Sequence, residues 1–307
     1  MPRSRLAWAY LLGVILIWVL GEWVAERTVY TLLLAYTPPL LWLLPAPLVL
    51  AWCLWRRRRL GPVLLGALLA AGGAGLFHWN FQRGGELRVL TYNVRSGTQT
   101  TPARLAGAIS AANADLVLLQ EANFARPEFH AQLVALLPGY SVTRAAEVTT
   151  LSRLPLQDVQ RYDLPLNRRE VLLTRVSWQG EPLNVVNAHL GTVMLSSLLS
   201  GDLERVRHTR NARAAQVGVL LDLAARAQGP LLLGGDLNTP PRGRVYRQLR
   251  AAYGPDAHDR AGRGPGWTFP SLRLRIDHQM SRELRAVRTR VLPDAGSDHL
   301  PLLVEYR

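Results

Sequence analysis

Four short apolar runs in the second part of the chain end on side chains able to bind a cation or a phosphate group. The run at 87–93 ends on Asn93, that at 115–121 on Glu121, that at 183–189 on His189, and that at 231–238 on Asp236 and Asn238. Two polar clusters follow, Asp277 after Arg275-Ile276 and Asp298-His299 after Gly296-Ser297. A lone carboxylate after a strand is ordinarily a solvated turn residue, so Glu121 alone means little. Repetition changes this, because polar strand ends gathered at one rim of a sheet make a site. Other chemistries are closed: the chain has no lysine, which excludes Schiff-base and lysine-base mechanisms. Its one cysteine, Cys53, rules out intramolecular disulfides and multi-cysteine zinc sites.

The elements that must position these residues are those of an α/β domain, with apolar runs alternating with polar turns. Thr101-Pro102 supplies a cap and a first-turn proline for a helix reaching about Asn113. A second helix is expected over 203–227, with Arg205, Arg207, Arg210 and Arg213 on a solvated face. The 191–201 segment is apolar for a loop and suits either a membrane surface or a place beneath that helix.

The first 80 residues read differently. Apolar stretches at 6–24, 29–55 and 60–77 approach membrane-spanning length, about 20 residues, and the second carries Pro38, Pro39, Pro45 and Pro47, which would kink it or turn it back. Residues 1–83 are therefore expected to be a membrane anchor of three segments, and 86–307 a soluble domain. Arg3, Arg5 and the arginines at 56–59 mark the cytoplasmic ends, so three crossings would leave the soluble domain outside the cytoplasm. Of the net charge of +14, eight Arg and two Glu in residues 1–85 account for +6, leaving +8 for the domain. A moderately basic domain suits a phosphate-bearing ligand and suits solubility equally.

The motifs TYN at 91–93, LLQE at 118–121, LSRLP at 151–155, AHL at 188–190, GGDLN at 234–238, RIDH at 275–278 and SDH at 297–299 occur in an order that resembles the endonuclease/exonuclease/phosphatase superfamily, the DNase I-like fold. The resemblance covers about 88–307. It implies a four-layered α/β sandwich and a divalent metal, Mg2+ or Mn2+ in its place, held by residues matching Asn93 and Glu121 with Asp298 beside it. By the same comparison Asp236 and Asn238 position and activate the attacking water, His189 and His299 surround the scissile phosphate, Asp277 orients His299, and Glu170 partners His189. Arg95 stands where some nuclease members carry an acid, which speaks against a second metal. The implied activity is hydrolysis of phosphodiesters of nucleic acid or of lipid headgroups, with the membrane as the other partner and no obligate protein partner. The competing readings are a phosphomonoesterase of the same fold and an inactive tethered binding module.

Overall fold

The structure, a computed structural model, describes residues 4–166, 168–198 and 200–307. Its N-terminal part forms α1 (Arg5–Val19), α2 (Val29–Tyr36), α3 (Leu40–Leu43), α4 (Pro45–Trp55) and α5 (Gly61–Gly73). Helix α1 runs on through a π-helical and a 3₁₀ turn, giving 23 residues, Arg5–Arg27, long and apolar enough to cross a membrane. The stretch at 29–55 is broken at its first proline pair, as those residues imply. Thr37 precedes Pro38-Pro39, whose rings exclude helical backbone before them, and the chain bends by 80° between Val29–Tyr36 and Leu40–Trp55. The third stretch is helical over 13 residues rather than throughout 60–77. At ~1.5 Å per residue that is about 20 Å, short of a ~30 Å hydrocarbon layer. Among the described residues one helix thus has membrane-crossing length, or two if the bent pair is one span. Arg3, part of the expected orientation signal, lies outside the described residues.

Helices α1, α4 and α5 bury Ala7, Val49, Cys53 and Val63 against one another. Outside this seam Trp8, Leu12, Leu48, Trp55 and Leu68 are each more than half exposed. The Arg59 backbone N–H donates to Ser4 Oγ at 3.2 Å, so the start of α1 and the arginines after α4 share one end of the bundle.

The rest of the chain supplies β1 (Leu87–Asn93), α6 (Pro102–Ala112), β2 (Leu116–Gln120), α7 (Phe129–Ala135), β3 (Ser141–Ala145), β4 (Val148–Ser152), β5 (Leu156–Leu164), β6 (Arg169–Trp178) and β7 (Glu181–His189). Then come α8 (Leu203–Arg226), β8 (Leu231–Asp236), α9 (Gly243–Tyr253), α10 (Ala257–Ala261), β9 (Asp277–Arg282), β10 (Ala286–Val291) and β11 (Leu302–Tyr306). The expected helix α6 is capped as its sequence implies: Thr101 Oγ1 accepts from the Arg104 N–H at 3.2 Å, and Asn113 ends it in the left-handed region.

Two sheets result, ordered β10-β11-β1-β2-β4-β3 and β5-β6-β7-β8-β9. Leu105, Ile109, Phe129 and Leu133 pack α6 and α7 on the outer face of the first, while Val217, Leu220, Val245 and Leu249 pack α8 and α9 on the outer face of the second. Between the sheets lie Leu87, Val89, Leu116 and Leu118 facing Val185, Leu183 and Leu232. These are the four layers of an α/β sandwich.

Strand alternation places the polar ends. In β1, Leu90 and Tyr92 face the helices while Leu87 and Val89 face the other sheet, so the period of two carries Asn93 to the inner side. In β7, Val186 and Ala188 face α8 and α9, which leaves His189 inward; in β8, Leu231 and Leu233 do the same for Asp236. Asn93, His189 and Asp236 therefore occupy the last inner positions of their strands, at one end of the inter-sheet core. Asp277 opens the antiparallel strand β9 at that end.

The N-terminal segment also docks on this domain. The carboxylates of Glu22 and Glu26 accept from the backbone N–H groups of Gly243 at 3.0 Å and Arg244 at 2.8 Å, capping α9, which has no side-chain cap of its own. Val29 and Leu32 of α2 are buried with Val193 and Val206, so the apolar 191–201 segment meets the N-terminal segment through Val193.

Candidate active site

Cross-strand register builds the centre of the site. His189 is the strand partner of Asp236, and Asp236 that of Asp277, so three adjacent strands present three functional side chains in one row. Asp236 is the hub and is buried. Its Oδ2 accepts from Asn93 Nδ2 at 3.0 Å and lies 3.4 Å from His189 Nε2 and 3.7 Å from His299 Nε2; its Oδ1 accepts from the Asn238 N–H at 2.9 Å. Burial works to raise the Asp236 carboxyl, but the cationic His299, the neighbouring His189 ring and the hydrogen bonds from Asn93 and Asn238 outweigh this and hold it below the usual carboxylate range.

His299 sits between two carboxylates. Its Nδ1 is 2.8 Å from Asp277 Oδ2, and Phe269 covers the ring at 5.0 Å between centroids. Burial pushes the imidazolium down, yet Asp277 and Asp236 more than offset it, and the pKa stands at about 10. At neutral pH His299 is a cation, able to donate from Nε2.

Glu121 follows β2 in the left-handed region, at φ 50°, which turns its carboxylate back over the row. Its Oε1 accepts from Asn93 Nδ2 at 3.2 Å and lies 4.0 Å from His189 Nε2. The side chain remains 32% exposed, so a ligand from solvent can reach it. Asn238, also left-handed at φ 46°, aims Nδ2 at Leu190 O, 2.9 Å, and at His189 Nε2, 3.3 Å. Asp298 lines the same cleft and pairs loosely with Arg95, Nε to Oδ2 3.5 Å.

Glu170 makes no hydrogen bond or ion pair with His189 among the described residues, although β6 lies beside β7 and the register of that pair runs toward His189; its strand partner is Asp163 of β5. The acid beside His189 is Glu147, whose Oε1 lies 3.1 Å from His189 Nδ1 and 3.0 Å from Arg169 Nε. Glu147 sits between β3 and β4, and only the pairing of that hairpin with β2 carries it there: the Ala122 N–H donates to Glu147 O at 2.7 Å. Arg213 likewise departs from the solvated face expected of α8. Its guanidinium is buried and donates to Gly191 O at 2.9 Å, Leu237 O at 2.8 Å and Thr239 Oγ1, a strut under the 236–239 loop.

Two groupings could hold a cation. Asp236, Asp277 and His299 bring ligand atoms within 4.8 Å of one another. That grouping is self-compensated, because His299 is protonated and spends Nδ1 on Asp277, and a metal needs the neutral ring. Glu121, open to solvent, with the buried Asn93 amide, whose Oδ1 accepts from the Arg95 N–H at 3.0 Å, offers hard oxygen donors, the donor chemistry that suits Mg2+ or Mn2+ keeping several waters.

A model of the endonuclease/exonuclease/phosphatase family matches residues 90–299. The chain belongs to this family. Among solved structures of the family's fold, a humanised TDP2 from D. rerio shares 17% identity at a TM-score of 0.59, over 72% of this chain and 98% of that one. The human Nocturnin catalytic domain with bound sulfate shares 17% at 0.56, over 74% and 96%. A mannosyl-6-phosphatase from Bacteroides thetaiotaomicron shares 17% at 0.57, over 72% and 100%. No curated protein sequence matches the chain. Family membership makes this chain one of a group of divalent-metal-dependent phosphoric-ester hydrolases, and the likeness to the solved structures establishes the DNase I-like fold.

Proposed function

We propose that the protein is a membrane-anchored phosphodiesterase, Mg2+-dependent, with Glu121, Asn93 and Asp298 as the metal side of its site. The observation that carries the reading is the in-register row of His189, Asp236 and Asp277, with His299 held as a cation above it. A bound metal would supply Lewis-acid stabilisation of a phosphate oxygen. The chain's own residues do the rest. Asp236, ionised, accepts a hydrogen bond from the attacking water and takes its proton as the new P–O bond forms; Asn238 fixes that water's direction. His299 and His189 donate to the non-bridging oxygens as charge builds on them. The ester P–O bond breaks, the leaving oxygen takes up a proton from solvent as Asp236 returns the one it received, and an alcohol and a phosphomonoester remain.

The substrate side is apolar as well as polar. Tyr36, Val193, Met194, Phe269, Leu272 and Ile276 line the same cleft as the charged row, a volume of about 360 Å³. This lining favours a diester carrying an apolar substituent, a lipid headgroup, over a polyanion. The exposed Trp and Leu side chains of α1, α4 and α5 support anchoring, since a soluble monomer seldom leaves so continuous an apolar surface in water. The Ser4–Arg59 contact groups Arg5 and the arginines at 56–59 at one end of the bundle, which supports a catalytic domain outside the cytoplasm.

The deciding experiment is Mg2+-dependent turnover by the full chain in detergent micelles against DNA, RNA, sphingomyelin, phosphatidylinositol and inositol phosphates. Diester cleavage, fastest with the lipids and insensitive to salt, is the expected result. A steep fall with salt would indicate counterion release and a nucleic-acid substrate. Faster phosphate release from a monoester than cleavage of any diester would overturn the phosphodiesterase reading.

A further inference from the structure

The loop that carries Asn238 is held from two sides. From within the domain, Arg213 donates to Leu237 O at 2.8 Å and His278 Nε2 lies 2.7 Å from Thr239 O. The Asn238 carbonyl between them is served from elsewhere: the Tyr36 hydroxyl, at the end of α2, donates to it at 2.8 Å. The next residues of the loop are Thr239-Pro240-Pro241, and the two prolines bring no N–H of their own. A buried carbonyl without a partner is costly, so the hydroxyl is a structural requirement of the left-handed turn at Asn238.

Tyr36 is itself gripped by the loop it supports. Arg242 donates from Nε to Ala35 O at 2.5 Å and from its terminal nitrogen to Thr37 O, the residues on either side of Tyr36. Arg242 is buried, and its guanidinium lies over the Trp42 ring, 5.1 Å from the centroid. Arg247 pairs with Glu22 at 2.6 Å, and Glu22 and Glu26 cap α9 immediately beyond. The contacts are reciprocal: the N-terminal segment supports the loop's carbonyl, and the loop's arginine fixes the backbone that presents the supporting hydroxyl. The Tyr36 ring also lines the cleft beside Asn238, Asp236 and His299.

We propose that the N-terminal segment is an integral wall of the catalytic cleft and that Tyr36 is a positioning residue, holding Asn238 in register with Asp236 through its main-chain carbonyl. Its catalytic meaning rests on the hydrolase reading above; its structural meaning does not. A fragment beginning after the anchor would lack both the wall and the hydroxyl. Membrane attachment and catalysis are then one device, since whatever displaces residues 22–37 from α9 also loosens the residue that directs the water.

The test is Tyr36→Phe in the full chain, in detergent micelles, with bis(p-nitrophenyl) phosphate and Mg2+ as probe and amide hydrogen exchange as an activity-independent readout. The ring and its packing stay, so the variant should still fold and unfold cooperatively, with a melting temperature lowered by only the few degrees that one unpaired buried carbonyl costs. A displacement of about 1 Å at a reacting group costs up to ~100-fold, so kcat should fall about tenfold or more, with KM within about threefold of wild type. Amides of residues 237–239 should exchange at least about tenfold faster in the variant. Wild-type exchange in this loop overturns the proposal whether or not the probe is turned over. Faster exchange with unchanged kcat overturns the positioning role. Wild-type protein that exchanges as expected but cleaves no diester with any divalent metal sinks the phosphodiesterase reading, and exchange alone then decides whether Tyr36 holds the loop.

Discussion

Asp277 Oδ2 lies 2.8 Å from His299 Nδ1, an ion pair in which both partners are buried at the end of the inter-sheet core. The second carboxylate oxygen, Asp277 Oδ1, has no hydrogen-bond partner among the described residues, so the negative charge of Asp277 is directed to this one imidazolium. Asp277→Asn should therefore cost on the order of 10² or more in kcat/KM, by removing the group that keeps His299 charged and oriented. The pH profile carries the sign. With Asp277 present His299 stays protonated to about pH 10. Loss of the neighbouring charge lowers that pKa, so the alkaline limb of the rate profile should move to lower pH. An alkaline limb that stays in place would take His299 out of the rate-determining protonation.

Glu121→Gln keeps the shape of the side chain and its contact with Asn93 while removing the charge that faces solvent. Activity should vanish at Mg2+ concentrations that saturate the wild type, and calorimetric Mg2+ or Mn2+ affinity should weaken about tenfold or more, with melting temperature unchanged. Metal affinity equal to wild type would move the metal to Asp236 and Asp277.

Glu147 and Glu170 provide an internal comparison. Glu147 abuts His189 and Arg169, whereas Glu170 pairs with Asp163 across β5–β6. Glu147→Gln should lower kcat by about tenfold or more, because it removes the acid beside His189 Nδ1 that favours one ring orientation. Glu170→Gln should leave kcat within about twofold. The opposite pattern would restore Glu170 as the partner of His189.

The strand ends were legible in the sequence because the signal is local: a short apolar run that stops at a polar side chain marks both the strand and its end. That reasoning reaches Asn93, Glu121, His189 and Asp236 without any knowledge of pairing. Glu147 was out of reach, because its place depends on β3–β4 closing against β2, a contact between residues with no shared local pattern. Arg213 was misjudged for a related reason. An arginine spaced with others along a helix reads as solvated, and only the 236–239 loop crossing its face supplies the carbonyls that make burial affordable. The division into an apolar N-terminal part and a domain was equally plain, but hydropathy measures composition and not direction. The prolines at 38 and 39 announced the break after Tyr36, but not that α2 turns onto the domain.

The last prediction concerns acid stability and lies outside the cleft. His258, in α10, is buried; its Nε2 is 2.9 Å from Gly264 O, while Nδ1 is buried without a hydrogen-bond partner. Only the neutral ring with its proton on Nε2 fits these surroundings. Burial, joined by the Arg275 guanidinium, pushes its pKa from 6.5 down to about 4. Asp256, Asp259 and the His78 ring at 5.3 Å also face this region; the hydrogen bond to Gly264 O and the Asp256 carboxylate only partly offset the shift, and His78 adds to it. In the unfolded chain the ring takes up a proton below about pH 6.5, whereas the folded ring resists until about pH 4. The unfolded state thus binds more protons across that window, and stability falls as pH falls through it, by up to about 3 kcal/mol for this group. Below pH 4 its contribution is flat. Neighbouring carboxylates titrate in the same range, so the measurement is a difference. His258→Gln should be less stable than wild type at pH 7, yet should lose less further stability between pH 6.5 and 4. Denaturant unfolding of both proteins across that range checks this. Parallel curves for the two would mean that burial does not shift His258 and that it takes up its proton over the same range folded and unfolded.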